Sequence, residues 1–92
     1  MLEVHRAAGQ FVRDFAPLIA DPGLRWSIVE GTLEGGEATY AFEVLVDALV
    51  ERSIPVPAEA LALVEQALSN EPDHMYPRVR AAAVRARARA TA

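Results

Sequence analysis

The chain contains no cysteine and no lysine among its 92 residues. Without cysteine there is no disulfide scaffold, no zinc ribbon and no thiol nucleophile. All nine basic residues are arginine, and alanine fills 18 positions. Arginine and alanine codons are GC-rich and lysine codons AT-rich, so the arginine count by itself does not define a recognition surface. Long apolar runs are missing too. No stretch between charged residues exceeds six residues, whereas a membrane-spanning helix takes about 20 apolar ones. The opening Met-Leu-Glu-Val-His-Arg has neither the basic start nor the apolar run of about 7–15 residues that a secretory signal requires. A cytoplasmic location is the expectation.

Catalytic arrangements are equally sparse. None of Ser27, Ser53 and Ser69 lies in a Gly-x-Ser-x-Gly turn. His5 and His74 lack the i, i+4 spacing that would put two imidazoles on one helical face. Gly31, Gly35 and Gly36 are not followed by the Lys-Ser/Thr pair of a phosphate-binding loop. The expectation is a protein that is not an enzyme, with no cofactor and no metal.

What is present is a small globular composition, 52% hydrophobic and 24% charged, enough for one domain with a single core. Helical periodicity dominates. A first helix is predicted from about Leu2 to Ala20, with Leu2, Phe11, Phe15, Leu18 and Ile19 apolar and Val4, Ala8 and Val12 beside them. Pro17 should kink or end it, since proline removes a backbone donor and clashes with the preceding turn. Asp21-Pro22 reads as an N-cap followed by proline at the first helical position. A second helix, to about Leu33, carries Trp26, Val29 and Leu33 on one stripe. Glu34-Gly35-Gly36 breaks it.

The third helix, Glu37 to Arg52, has the broadest apolar surface. Ala41, Val44, Leu45, Ala48 and Leu49 form one face, and Tyr40, Phe42 and Val46 widen it, as for a central helix packed on two sides. Ser53-Ile54-Pro55-Val56-Pro57 must be extended, because proline disfavours the helical region for the residue before it. A fourth helix follows from Ala58 to Ser69 on Leu61, Val64 and Leu68. Pro77 opens a fifth, Arg78 to about Thr91. No strand of useful length is predicted. The fold class expected is all-α, a single small bundle of four to five short helices.

Charge is divided along the chain. Residues 1–77 hold thirteen acids and four arginines, a balance of −9, and form an acidic helical body. Residues 78–92 hold five arginines and no acid, +5, in an Arg/Ala-rich helix either packed on the body or partly frayed. Glu43, Asp47 and Glu51 follow i, i+4, i+8 on the third helix. Glu30 and Glu34 pair at the end of the second, and Glu37 opens the third. Like charges at this spacing cost a helix a few tenths of a kcal/mol each. They are either a solvated face or an acidic docking surface for a basic partner. On a helical wheel Arg78, Arg85 and Arg89 lie on one side and Arg80 and Arg87 nearly opposite. A nucleic-acid-binding helix gathers its charge on one face and adds readers, so nucleic acid is not the expected partner.

The run from Gly36 to Glu51, followed by Ile54-Pro55-Val56-Pro57, resembles the MafI-like family of small bacterial immunity proteins. Gly36, Glu37, Phe42, Leu45, Asp47, Leu49, Glu51, Ile54 and Pro55 carry the resemblance, which covers about a quarter of the chain. It implies a cytosolic protein that binds and neutralises a cognate secreted toxin, often a nuclease with a basic active site. An acidic protein would gain fast association with such a surface by electrostatic steering. Glu30, Glu34, Glu37, Tyr40, Glu43, Asp47 and Glu51 are the expected partner-binding residues, with Trp26 a further candidate anchor beside Tyr40. The alternative is a helical structural or regulatory module acting as a homodimer or adaptor, its interface the surplus apolar face of the third helix.

Overall fold

A computed structural model describes residues 2–91, and side chains from Glu3 to Ala90. The expected positions of Met1, the Leu2 side chain and Ala92 lie outside the described residues. Within them the chain forms five α-helices: α1 (Leu2–Phe15), α2 (Pro22–Ile28), α3 (Ala38–Glu51), α4 (Ala58–Ser69) and α5 (Pro77–Ala88). The all-α bundle expected from periodicity is what is found.

α1 packs against α3 and α4, and α5 packs against the same two. The four long helices therefore make a ring in which α1 faces α5 across one core and α3 faces α4. α2 is strapped over one end, against α3 and the segment after α1. The core is wholly apolar: Val4, Ala8, Phe11, Val12, Ala16 and Ile19 from the first segment meet Ala41, Phe42, Leu45, Val46, Ala48 and Leu49 of α3. Leu61, Val64, Ala67 and Leu68 of α4 and Val79, Ala82, Ala83 and Ala86 of α5 complete it. Phe11 and Phe42 meet edge to face with ring centroids 5.1 Å apart, a geometry favoured by the ring quadrupoles.

Several boundaries differ from those read off the sequence, each for a local reason. α1 stops at Phe15, and Ala16–Leu18 form a 3₁₀ turn carrying Pro17. The tighter turn leaves Leu18 on the surface instead of in the core. The second helix changes pitch at Val29, where Val29–Leu33 form a π turn closed by a bond from the Glu34 amide to the Val29 carbonyl, 2.8 Å. The extra residue per turn aligns Ile28 with Leu33, both buried, and turns Trp26 out of the stripe that regular periodicity gives it.

The extended segment expected over Ser53–Pro57 is found in part: Ser53 lies in the turn that ends α3, while the residues at its far end form a strand that does more than connect. Val56–Pro57 (β1) pairs in parallel with Ala90–Thr91 (β2), so α5 ends at Ala88 and the chain straightens. Two non-glycine residues adopt left-handed backbone: Ser53 (φ +54°), just past α3, and Tyr76 (φ +57°), just before Pro77. Proline disfavours right-handed helical backbone at the residue before it. The Tyr76 ring is half-buried, edge-on to His5 of α1 at 5.9 Å.

Candidate partner-binding surface

Six of the seven acidic and aromatic residues singled out by the sequence fall into two groups. The first lies along the flank of α3 that packs on α5. Arg78 Nε sits 2.9 Å from Glu43 Oε1, and Arg85 Nη2 sits 2.9 Å from Asp47 Oδ1. On the other flank of α5, Arg87 makes a two-oxygen contact with Glu65 of α4, its Nε 3.0 Å from Oε2. That hydrogen bond to Glu65 is the main cause holding the Arg87 guanidinium above its ordinary value; Coulomb attraction adds to it and desolvation opposes it.

This arrangement accounts for the divided wheel of the fifth helix. α5 is a wedge between α3 and α4, with Val79, Ala82, Ala83 and Ala86 pointing inward. Arg78 and Arg85 then reach one neighbour while Arg87 reaches the other. Arg80 does something different. Its Nε donates to the Met75 carbonyl at 2.7 Å, and its Nη2 lies 2.9 Å from the Leu68, 3.1 Å from the Glu71 and 2.9 Å from the Pro72 carbonyl oxygens. One guanidinium thus gathers the C-terminus of α4 and the loop behind it, where a cation also suits the helix dipole.

The second group lies at the corner where the π turn leads into α3. Glu30, Glu34 and Glu37 are exposed and make no ion pair among the described residues. Tyr40 in the first turn of α3 is 45% exposed, and Trp26 on α2 is 62% exposed. Asp21 caps α2, its Oδ1 accepting from the Gly23 and Leu24 amides at 2.9 and 3.2 Å. That cap and Pro22 set the direction of α2, and the π turn then presents Trp26 and Glu30, one turn apart, on its outer side. Gly31 lies beneath the indole: a Cβ there would be 3.7 Å from Trp26 Cζ3. Pro22, Arg25, Trp26, Val29 and Glu30 line an open cleft of about 310 Å³. The Arg25 guanidinium is turned back to donate to the Ile19 carbonyl at 3.1 Å.

Glu51 belongs to neither group, since among the described residues its ion-pair neighbour is the adjacent Arg52 at 3.8 Å. The structure therefore does not assemble the seven residues into one stripe. Glu43 and Asp47 already hold a basic segment of their own chain; Glu30, Glu34, Glu37 and Tyr40 stand open. The exposure of Trp26 was hidden because its spacing to Val29 and Leu33 suits an unbroken α-helix. The nearby glycine and Thr32, whose hydroxyl donates to the Ser27 carbonyl at 3.0 Å, are the only local hints of the wider turn.

Among the described residues no group of three or more His, Cys, Asp or Glu is placed to hold a metal ion. No helix among the described residues is long and apolar enough to cross a membrane. No protein-family model, curated protein or solved structure matches the chain.

Proposed function

We propose that this chain is a protein-binding module of the immunity type, which neutralises a cognate secreted toxin by covering a basic surface with its α2–α3 corner. One observation carries the reading: between residues 26 and 40 the chain exposes three carboxylates without an ion pair among the described residues, Glu30, Glu34 and Glu37, and two aromatic side chains, Trp26 and Tyr40. Carboxylates left without internal partners steer a cationic surface, and tryptophan and tyrosine are enriched among residues that anchor interfaces. The resemblance of residues 36–57 to immunity proteins supports the same reading, and a cytoplasmic site of action goes with it. Glu43 and Asp47, occupied by α5, serve the fold rather than the partner in this account.

The test is co-expression. A secreted protein captured by this chain should be toxic when produced alone and harmless when produced with it. Reversal of Glu30, Glu34 and Glu37 to Lys should abolish both capture and protection. Glu43→Gln with Asp47→Asn should leave both in place. Protection that survives the triple reversal would overturn the reading.

The homodimer alternative keeps a specific observation of its own. The apolar surface of α3 is used up inside the bundle, but Leu63 on α4 and Val84 on α5 are 60% and 71% exposed. Light scattering at high concentration, with Leu63→Ser and Val84→Ser compared to the parent, tests it; a concentration-independent monomer mass excludes it.

A further inference from the structure

The cleft beside Trp26 has a chemistry narrower than general acidity. Its walls are Pro22, Val29 and the indole, and Glu30 stands one turn beyond the indole on the same side. The charged residues that line it are Arg25 and Glu30. The Arg25 guanidinium keeps its charge but is tied to the Ile19 carbonyl, so Glu30 is the lining charge with no partner among the described residues. A flat π face next to an unpaired carboxylate, in an open cleft of about 310 Å³, fits a planar cation. Guanidinium stacks on an indole and offers its edge donors to a carboxylate at the same time, which a lysine ammonium does less well.

We infer that this cleft is a slot for an arginine side chain presented by the docked protein partner, stacked on Trp26 and held by Glu30. The inference rests on the docking function proposed for the same corner and names the group that function recognises. The π turn shapes the slot: it lets both Ile28 and Leu33 reach the core, which leaves Trp26 and its indole face on the outer side. π turns of this kind recur at functional sites. The net negative balance of the chain, −4, draws a cationic segment towards the surface before the slot engages it.

Trp26 is the only tryptophan, so its emission reports on the cleft directly. The probes are short blocked peptides, Gly-Arg-Gly, Gly-Lys-Gly and Gly-Glu-Gly, titrated into the intact protein at low ionic strength. A saturable change in Trp26 emission is expected with the arginine peptide, a weaker one with lysine and none with the glutamate peptide. Glu30→Gln should weaken arginine-peptide binding about fivefold, the scale of an exposed cation contact. Glu59→Gln, on the exposed side of α4, should leave it unchanged. Trp26→Ala removes the fluorophore, so its loss of binding is read from the peptide resonances by NMR. Absence of a saturable change, equal binding of the lysine peptide, or equal weakening by Glu59→Gln overturns the slot. Toxin neutralisation by the Trp26→Ala variant at full strength would leave the docking function standing and remove the slot. Arginine-peptide binding without any neutralised toxin would do the reverse.

Discussion

Replacing Arg80 by alanine should be among the costliest changes at any partly exposed position. The Nε and Nη2 groups carry three hydrogens between them and face four carbonyl oxygens, of Leu68, Glu71, Pro72 and Met75, at 2.7–3.1 Å. A hydrogen bond to a charged group contributes about 1.5–3 kcal/mol net. The loop carbonyls regain water when the guanidinium is removed, which lowers the effective figure to about 1 kcal/mol for each hydrogen, or about 3 kcal/mol in all. Against a domain stability of about 5–15 kcal/mol this is a large fraction. Urea unfolding followed by circular dichroism measures it directly. Because the acceptors are carbonyls in contact with the donor, the loss should persist at about 1 M salt, where exposed ion pairs are screened. Arg80→Lys should recover about half, since an ammonium lacks the fork that spans both sides of the loop. Arg89→Ala, at an exposed position with no side-chain partner among the described residues, should cost less than about 0.5 kcal/mol. If Arg80→Ala costs no more than Arg89→Ala, the account of Arg80 as the clasp of the α4–α5 loop is wrong.

Ser53 holds a left-handed backbone at φ +54°, so Ser53→Gly should raise stability by about 1 kcal/mol, seen as a melting temperature about 4–8 °C higher. The Phe42 side chain is fully buried and packed on Phe11, and Phe42→Ala should cost about 3–5 kcal/mol in the same unfolding assay. A double-mutant cycle on the Glu43–Arg78 pair, whose arginine is 76% exposed, should return a coupling below about 1 kcal/mol that fades with added salt. Trp26 should be quenched by acrylamide in the native protein almost as efficiently as in urea, since 62% of its surface meets solvent.

The parts of the fold that follow a strict 3.6-residue period are legible in the sequence. The Asp21-Pro22 cap, the range of α4 and the buried face of α3 follow from one rule each, applied to neighbouring residues. What escapes is set by a change of pitch or by a distant partner. The π turn moves Trp26 outward because Ile28 and Leu33 are both drawn into the core, a competition no local spacing reveals. The β1–β2 pair joins residues 34 positions apart, and neither Val56-Pro57 nor Ala90-Thr91 is long enough to announce a strand. For the candidate site, the acids were visible as a pattern, but which of them stay open depended on where α5 lies. Its arginines looked disordered on a wheel because two different helices receive them.

The placement of α5 also has a consequence for how the protein is made. The flank of α3 bearing Glu43 and Asp47 is covered by a helix that starts 26 residues after α3 ends. During synthesis the acidic helices are therefore made before the segment that covers them and offsets part of their charge. The parallel clasp of Val56–Pro57 on Ala90–Thr91 places final closure later still. A premature stop before Pro77 would leave a −9 fragment with an open apolar flank, a species for chaperones and proteases. The exposed flank itself would thus mark a product that lacks α5.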